Sequence, residues 1–176
     1  MNFVRALSTA GLFLLSLNVA CVSEKVPDVK LKMSGNLYQL SQIAQDKRQP
    51  ILLFFSAEHC PYCNIVEEEF LKPMLRSGDY VDKVLIRKTD IDDFEQHPGF
   101  DRKLISGSEL AAQKHVFVTP TLLFLDPQGK EIVERMVGIS TVDFYGGYLD
   151  DAIDKAHLLT QKANTRHLKD SLGTAQ

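Results

Sequence analysis

The 176-residue chain has only three cysteines, no tryptophan, no excess of basic residues and no apolar run long enough to cross a bilayer. Each shortage excludes a class of protein. Cysteines at positions 21, 60 and 63 alone are too few for a small exported domain held by several disulfide pairs, so the core must be stabilised by burial. Lys and Arg number 20 against 23 Asp and Glu, for a net charge of -3; with no basic footprint for phosphate backbones, nucleic acid is not expected as a partner. Ten glycines and seven prolines do not make a collagen-like or low-complexity chain. The longest apolar stretch, Ala6 to Ala20, falls short of the roughly 20 residues a membrane-spanning helix needs. The histidines, at 59, 97, 115, 157 and 167, lack the close pairing that would complete a structural zinc site with two cysteines.

What is present fits one compact domain: 44% hydrophobic and 24% charged residues over a length typical of a single core. Residues 1–20 read as a secretory signal, with Arg5 as the only charge ahead of an apolar run rich in leucine and a small residue, Ala20, at its end. Cys21 follows directly, where a bacterial lipoprotein carries its acylated cysteine. Asn18 stands where the lipobox places leucine, so lipidation and ordinary cleavage both stay open. The protein is expected in the periplasm, free or lipid-anchored. Residues 21–35 are polar, contain Pro27, Ser34 and Gly35, and read as a flexible tether.

Residues 36–160 carry the periodicities of a folded domain. Leu37, Leu40, Ile43 and Ala44 predict a first helix from Asn36 to Lys47. Ile51-Leu52-Leu53-Phe54-Phe55 is the continuous apolar run of a strand covered on both faces. A helix follows, with Pro61 at its first position, an apolar stripe of Ile65, Val66, Phe70 and Leu71, three glutamates facing solvent, and an end or kink at Pro73. Val84 to Lys88 reads as a parallel strand, completing a βαβ unit. The stretch 90–107 is a long connection with a short helix around Arg102 to Ile105, and Ser108 is the expected cap of the helix after it. Thr121–Leu125 and Glu131–Val137, separated by Asp126-Pro127-Gln128-Gly129, form an antiparallel hairpin. Ser140 with Asp143 starts a last helix whose apolar face is Phe144, Leu149, Ile153, Ala156 and Leu159. Residues 161–176 are expected to fray.

Cys60 and Cys63, two residues apart, could be a redox dithiol, half of a zinc site or a plain structural disulfide. A disulfide closing so small a loop constrains the unfolded chain little. A strand, then Ala57-Glu58-His59-Cys60-Pro61-Tyr62-Cys63 opening a helix, a parallel strand, and Thr119-Pro120-Thr121 ahead of another strand together resemble the thioredoxin superfamily over residues 36–160. Within it the chain is similar to exported bacterial thioredoxin-like proteins, including those accompanying periplasmic sulfur oxidation. The resemblance implies an α/β fold with a central mixed sheet flanked by helices. It also implies a cis bond before Pro120, opposite the dithiol, with the Thr119 backbone open to an extended substrate. Pro61 and Tyr62 would border that surface, although Tyr62 could equally be a plain surface residue.

At a helix N-terminus, unpaired N–H groups and the dipole favour a Cys60 thiolate as nucleophile, and Cys63, one turn inward, would be the resolving thiol. His59 stands where thioredoxins usually have tryptophan and, when protonated, could further stabilise that thiolate. Phe54 stands where they have a buried aspartate, so that proton relay is missing. Lys88 matches a lysine beside it and could assist Cys63 alone. Glu58 also matches the family pattern as a modulator. The motif Cys60-Pro61-Tyr62-Cys63 occurs in glutaredoxins too, but the export signal argues against a cytosolic glutathione enzyme.

The expected activity is reduction of protein or small-molecule disulfides by an exported monomer, with no cofactor beyond the Cys60–Cys63 pair and electrons from a membrane thiol donor. Oxidase or isomerase action is the first alternative, and copper or heavy-metal carriage through His59, Cys60 and Cys63 a second of another class.

Overall fold

The computed structural model describes residues 28–173, with side chains through residue 165. The expected signal at 1–20 and the lipid-carrying candidate Cys21 lie outside the described residues. Asn36 caps α1 (Leu37–Lys47) by accepting the Gln39 N–H at 2.9 Å. β1 (Ile51–Ser56) is buried along its whole length. After it the chain runs helically from Pro61 to Ser77 in three segments: α2 (Pro61–Ile65), a π-helical turn (Val66–Leu71) and α3 (Lys72–Ser77). Then come β2 (Leu85–Asp90), the short ribbon β3 (His97–Pro98) and β4 (Leu104–Ile105), and α4 (Gly107–Gln113). β5 (Thr121–Leu125), β6 (Glu131–Val137) and α5 (Val142–Gly173) complete the order.

Strands β2, β1, β5 and β6 form one mixed sheet in that order, with β1 parallel to β2 and antiparallel to β5. This is the expected α/β architecture of a mixed sheet flanked by helices. Alternate residues of β1 enter two separate cores, as strand geometry requires. Leu52 and Phe54 join the core under α2, α3 and α5, whereas Ile51, Leu53 and Phe55 join the one under α1 and α4. Among the described residues no helix is long and apolar enough to cross a membrane.

Several expectations are corrected. Pro73 does not end its helix. It is the second residue of α3, after the π-helical turn in which the Lys72 N–H reaches back to the Glu67 carbonyl, and near a helical start its missing N–H costs nothing. The cap of α4 is Ser106, not Ser108: its hydroxyl accepts the Glu109 N–H at 3.1 Å, and the Glu109 carboxylate accepts the Ser106 N–H at 2.9 Å. The helix starts there because Gly107 lies against the end of β2, where a Cβ would meet the Asp90 carbonyl at 2.2 Å. Arg102 to Ile105 is not helical but turns into the β3–β4 ribbon, and Arg102 lies over the Tyr38 ring.

The buried face of α5 is Tyr145, Leu149, Ile153, Ala156 and Thr160, one helical stripe, while Phe144 and Leu159 fall on its exposed side. The expected frayed end is instead helix through Gly173. The end of the expected tether is not free either. Leu31 is buried, the Lys88 N–H donates to Lys32 O at 2.9 Å, and the Ser34 N–H donates to Lys88 O at 2.7 Å. The reason is that β2 is an edge strand, whose outward N–H and C=O groups need partners.

Candidate active site

β1 stops at Ser56, and Ala57 to His59 turn the chain into the helix, with His59 in the left-handed region at φ 59°. Cys60 is the N-cap. Its Sγ accepts the Cys63 N–H at 3.2 Å, while its carbonyl accepts from the N–H groups of Cys63 and Asn64 at 3.1 and 3.2 Å. Pro61 takes the first helical position, where no N–H is required. The two sulfurs form a disulfide of 2.08 Å with the Cα atoms 5.2 Å apart. Cys60 is half-buried, whereas Cys63 is 2% exposed and belongs to the core with Phe54, Val66 and Ile86. One sulfur is therefore reachable and the other sits behind it.

The Thr119–Pro120 bond is cis, and the Thr119 hydroxyl lies 3.6 Å from Cys60 Sγ. Pro120 is buried, and its carbonyl accepts the Gly138 N–H at 2.8 Å, which anchors the loop to the end of β6. Next to this contact Phe117 and Val118 stand exposed, as do Pro61 and Tyr62 on the helix side. Phe117 and Val118 were not singled out from sequence. Their signal was adjacency to Thr119-Pro120, where an apolar residue reads equally well as the start of a strand.

The modulating candidates separate into two groups. Glu58 and His59 are solvated: His59 is 86% exposed, with Nδ1 3.8 Å from Glu58 Oε1, a surface pair of small energetic weight. The Glu58 N–H donates to Asp92 Oδ2 at 2.7 Å, so the connection after β2 holds the turn before Cys60. Lys88 is 23% exposed. Its Nζ reaches Glu67 Oε2 at 3.2 Å and Asp90 Oδ1 at 3.6 Å. Glu67 was read as facing solvent and is instead 19% exposed, lying between Lys88 and Lys72. A cleft of about 430 Å³, lined by Ala57, His59, Asn64, Lys88 and Asp90 among others, opens this region to water.

Among the described residues no group of three or more His, Cys, Asp and Glu side chains is arranged to hold a metal ion. Among the described residues Cys60 and Cys63 are the pair that can exchange electrons by breaking and forming a bond.

A family model described as a thioredoxin-like domain matches residues 38–153. No curated protein sequence matches significantly. Among solved structures the chain is similar to Fasciola hepatica thioredoxin, at 20% identity over 72% of this chain and 99% of that one, with a TM-score of 0.48. Malassezia sympodialis thioredoxin is similar at 21% identity, covering 74% and 96%, with a TM-score of 0.49. Thioredoxin O2 of Arabidopsis thaliana in its oxidized state is similar at 19% identity, covering 69% and 92%, with a TM-score of 0.45.

Proposed function

The chain belongs to the thioredoxin-like domain family, and from that premise we propose that it is an exported thiol:disulfide oxidoreductase that reduces protein disulfides. The observation that carries the reading is the asymmetry of the pair, with a reachable Cys60 capping a helix and a buried Cys63 one turn behind it. In the reduced protein the helix start favours the Cys60 thiolate. That thiolate attacks one sulfur of a substrate disulfide, and the other substrate sulfur leaves as a thiolate and takes a proton. Cys63 then attacks Cys60 Sγ, expelling the second substrate sulfur and closing the Cys60–Cys63 disulfide. Two electrons have moved to the substrate, and a dithiol donor at the membrane would return them.

Thr119, Pro120, Pro61 and Tyr62 form the proposed substrate surface. An extended segment would lie along the Thr119 backbone, with its sulfur over Cys60. Glu58 and His59 would act on Cys60 only through solvent, which limits them to small effects.

The test is insulin reduction driven by dithiothreitol. Cys60→Ser should reduce turnover to the rate of dithiothreitol alone, and Cys63→Ser should accumulate mixed disulfides with substrates. A Cys60→Ser protein that still turns over would refute the assignment. Direction follows the reduction potential, which spans about 150 mV among such dithiols, and a value at the oxidising end would make the protein an oxidase instead. Export and lipidation rest on residues 1–21 and are read by the intact mass of the secreted protein: cleavage before Cys21 with added acyl mass, or without it.

A further inference from the structure

The outer edge of β2 is closed along only part of its length. β2 runs parallel to β1, with Leu85 beside Ile51 and Asp90 beside Ser56, so its first residues lie at the end of the sheet away from Cys60. Nearer the dithiol, Lys32 and Ser34 of the N-terminal segment bond to both backbone groups of Lys88 and cover the edge. Ile86, two residues earlier on the strand, faces the same way. Its carbonyl accepts from Nη1 of the Arg87 side chain at 2.8 Å and not from the N-terminal segment. The segment diverges from the strand there. Between residues 29–32, the start of β2 and the last turns of α1 and α3 lies a cavity of about 440 Å³.

The lining of this cavity has two chemistries. Met74, Val84, Leu85 and Ile86 form a buried apolar floor, with Ile43, Leu75 and Val81 exposed around it. Lys30, Lys32, Lys47 and Arg87 also line it, and among the described lining residues there is no carboxylate. In a chain whose net charge is -3, such a local excess of cations stands apart from the average surface.

Arg87 is the most telling of the four. Lys72, Lys83, Lys88 and Arg135 each meet a carboxylate. Arg87 is half-buried and meets a carbonyl, and burial with no acid to offset it pushes its pKa down. A guanidinium has five N–H donors in a planar fork that matches an oxyanion, and the bond to Ile86 leaves most of them for another partner. A small polar anion would leave the apolar floor wet, and a neutral hydrocarbon would leave the guanidinium without a counter-charge. One molecule with both parts satisfies both, and the volume lies within the range of about 300–1,000 Å³ usual for small-molecule sites, which are mostly apolar with a few placed polar groups.

We propose that this cavity binds a single-chain amphiphilic carboxylate of the fatty-acid type, its tail on the floor of Met74, Val84, Leu85 and Ile86 and its head on Arg87. Lys30, Lys32 and Lys47 add attraction for the head. The site is separate from the dithiol and does not rest on the activity assigned to it. A phospholipid phosphate offers Arg87 the same oxyanion chemistry, so the test includes a bilayer.

Isothermal titration calorimetry of the oxidised protein with decanoate is the experiment. Decanoate should bind one to one, and acetate and 1-decanol, which carry the head or the tail alone, should each bind at least about tenfold more weakly. Arg87→Met, which keeps the apolar stem, should weaken decanoate about ten- to a hundredfold, the range of a hydrogen bond to a charged group at about tenfold per 1.4 kcal/mol. Arg87→Lys should recover part of the loss. Leu75→Glu changes an exposed lining position and should also weaken decanoate by adding a like charge, which keeps the test open if Arg87→Met does not fold. Equal affinity for decanoate and 1-decanol, no saturable decanoate binding, or an affinity untouched by both variants overturns the proposal. Binding to phosphatidylglycerol vesicles without binding of dissolved decanoate overturns it too, since that reports attraction to a charged surface and not an enclosed tail.

Discussion

The two faces of β1 are built from the same kind of side chain and carry different burdens. On the face under α1 and α4, Ile51, Leu53 and Phe55 join an apolar core whose members include no cysteine. On the other face, Leu52 and Phe54 pack beneath the helix that holds the dithiol, and Cys63 is itself a core residue. One strand thus separates holding the sheet together from placing a sulfur, because neighbouring residues on a strand point opposite ways. Stability should be removable on the first face without touching the chemistry, and chemistry on the second without touching the fold.

The sharpest break is Cys60→Ser, which should abolish catalysed insulin reduction while its thermal melt matches that of the reduced wild-type protein. A collapse of the melt would mean that the two burdens are not separable. Next in size, Leu53→Ala on the far face should cost about 2–5 kcal/mol in urea unfolding, yet leave alkylation of Cys60 by iodoacetamide at its wild-type rate wherever the protein is folded. A changed alkylation rate would show that the far core tunes the sulfur. Ser106→Ala, also on that side, removes the capping box of α4 and should cost about 1 kcal/mol, again with no effect on alkylation.

The smallest effect belongs to the dithiol side. The Tyr80 phenol donates to Asp150 and ties the loop before β2 to α5, and this bond pushes its pKa up to about 12 from an ordinary 10. The protonated phenol is thus favoured in the folded state, and its contribution is whole below pH 10 and lost as pH rises through 12. Urea midpoints of a Cys60→Ser, Cys63→Ser protein should fall across that window, and Tyr80→Phe should flatten the fall. A slope unchanged by Tyr80→Phe would place the sensitivity elsewhere.

Much of this was legible in the chain itself. The unbroken apolar run of β1 announced a strand covered on both faces, the Asp126–Gly129 turn announced the hairpin, and the cysteine spacing at a strand-to-helix junction announced the site. The failures have physical causes. Pro73 reads as a helix terminator until a wider turn ahead of it changes which carbonyl it would meet. Ser106 and Ser108 are equivalent caps until Gly107 is found against Asp90. Phe144 and Tyr145 are equally apolar candidates for one helical face, and the position of the sheet selects Tyr145. Glu67 was lost in a run of three glutamates that all look solvated, since the cation that draws it inward lies 21 residues away on β2.

The main helices and strands, the covered strand and the position of the Cys60–Cys63 pair follow from short-range information: periodicity, turn residues and a two-residue spacing, each acting within a few residues along the chain. The burial of Cys63 behind Cys60, the approach of Thr119 to the reachable sulfur and the pairing of Glu67 with Lys88 belong to the tertiary structure alone. Each joins segments tens of residues apart, or depends on how a helix rotates over a sheet, and that rotation is decided by the packing of both surfaces together.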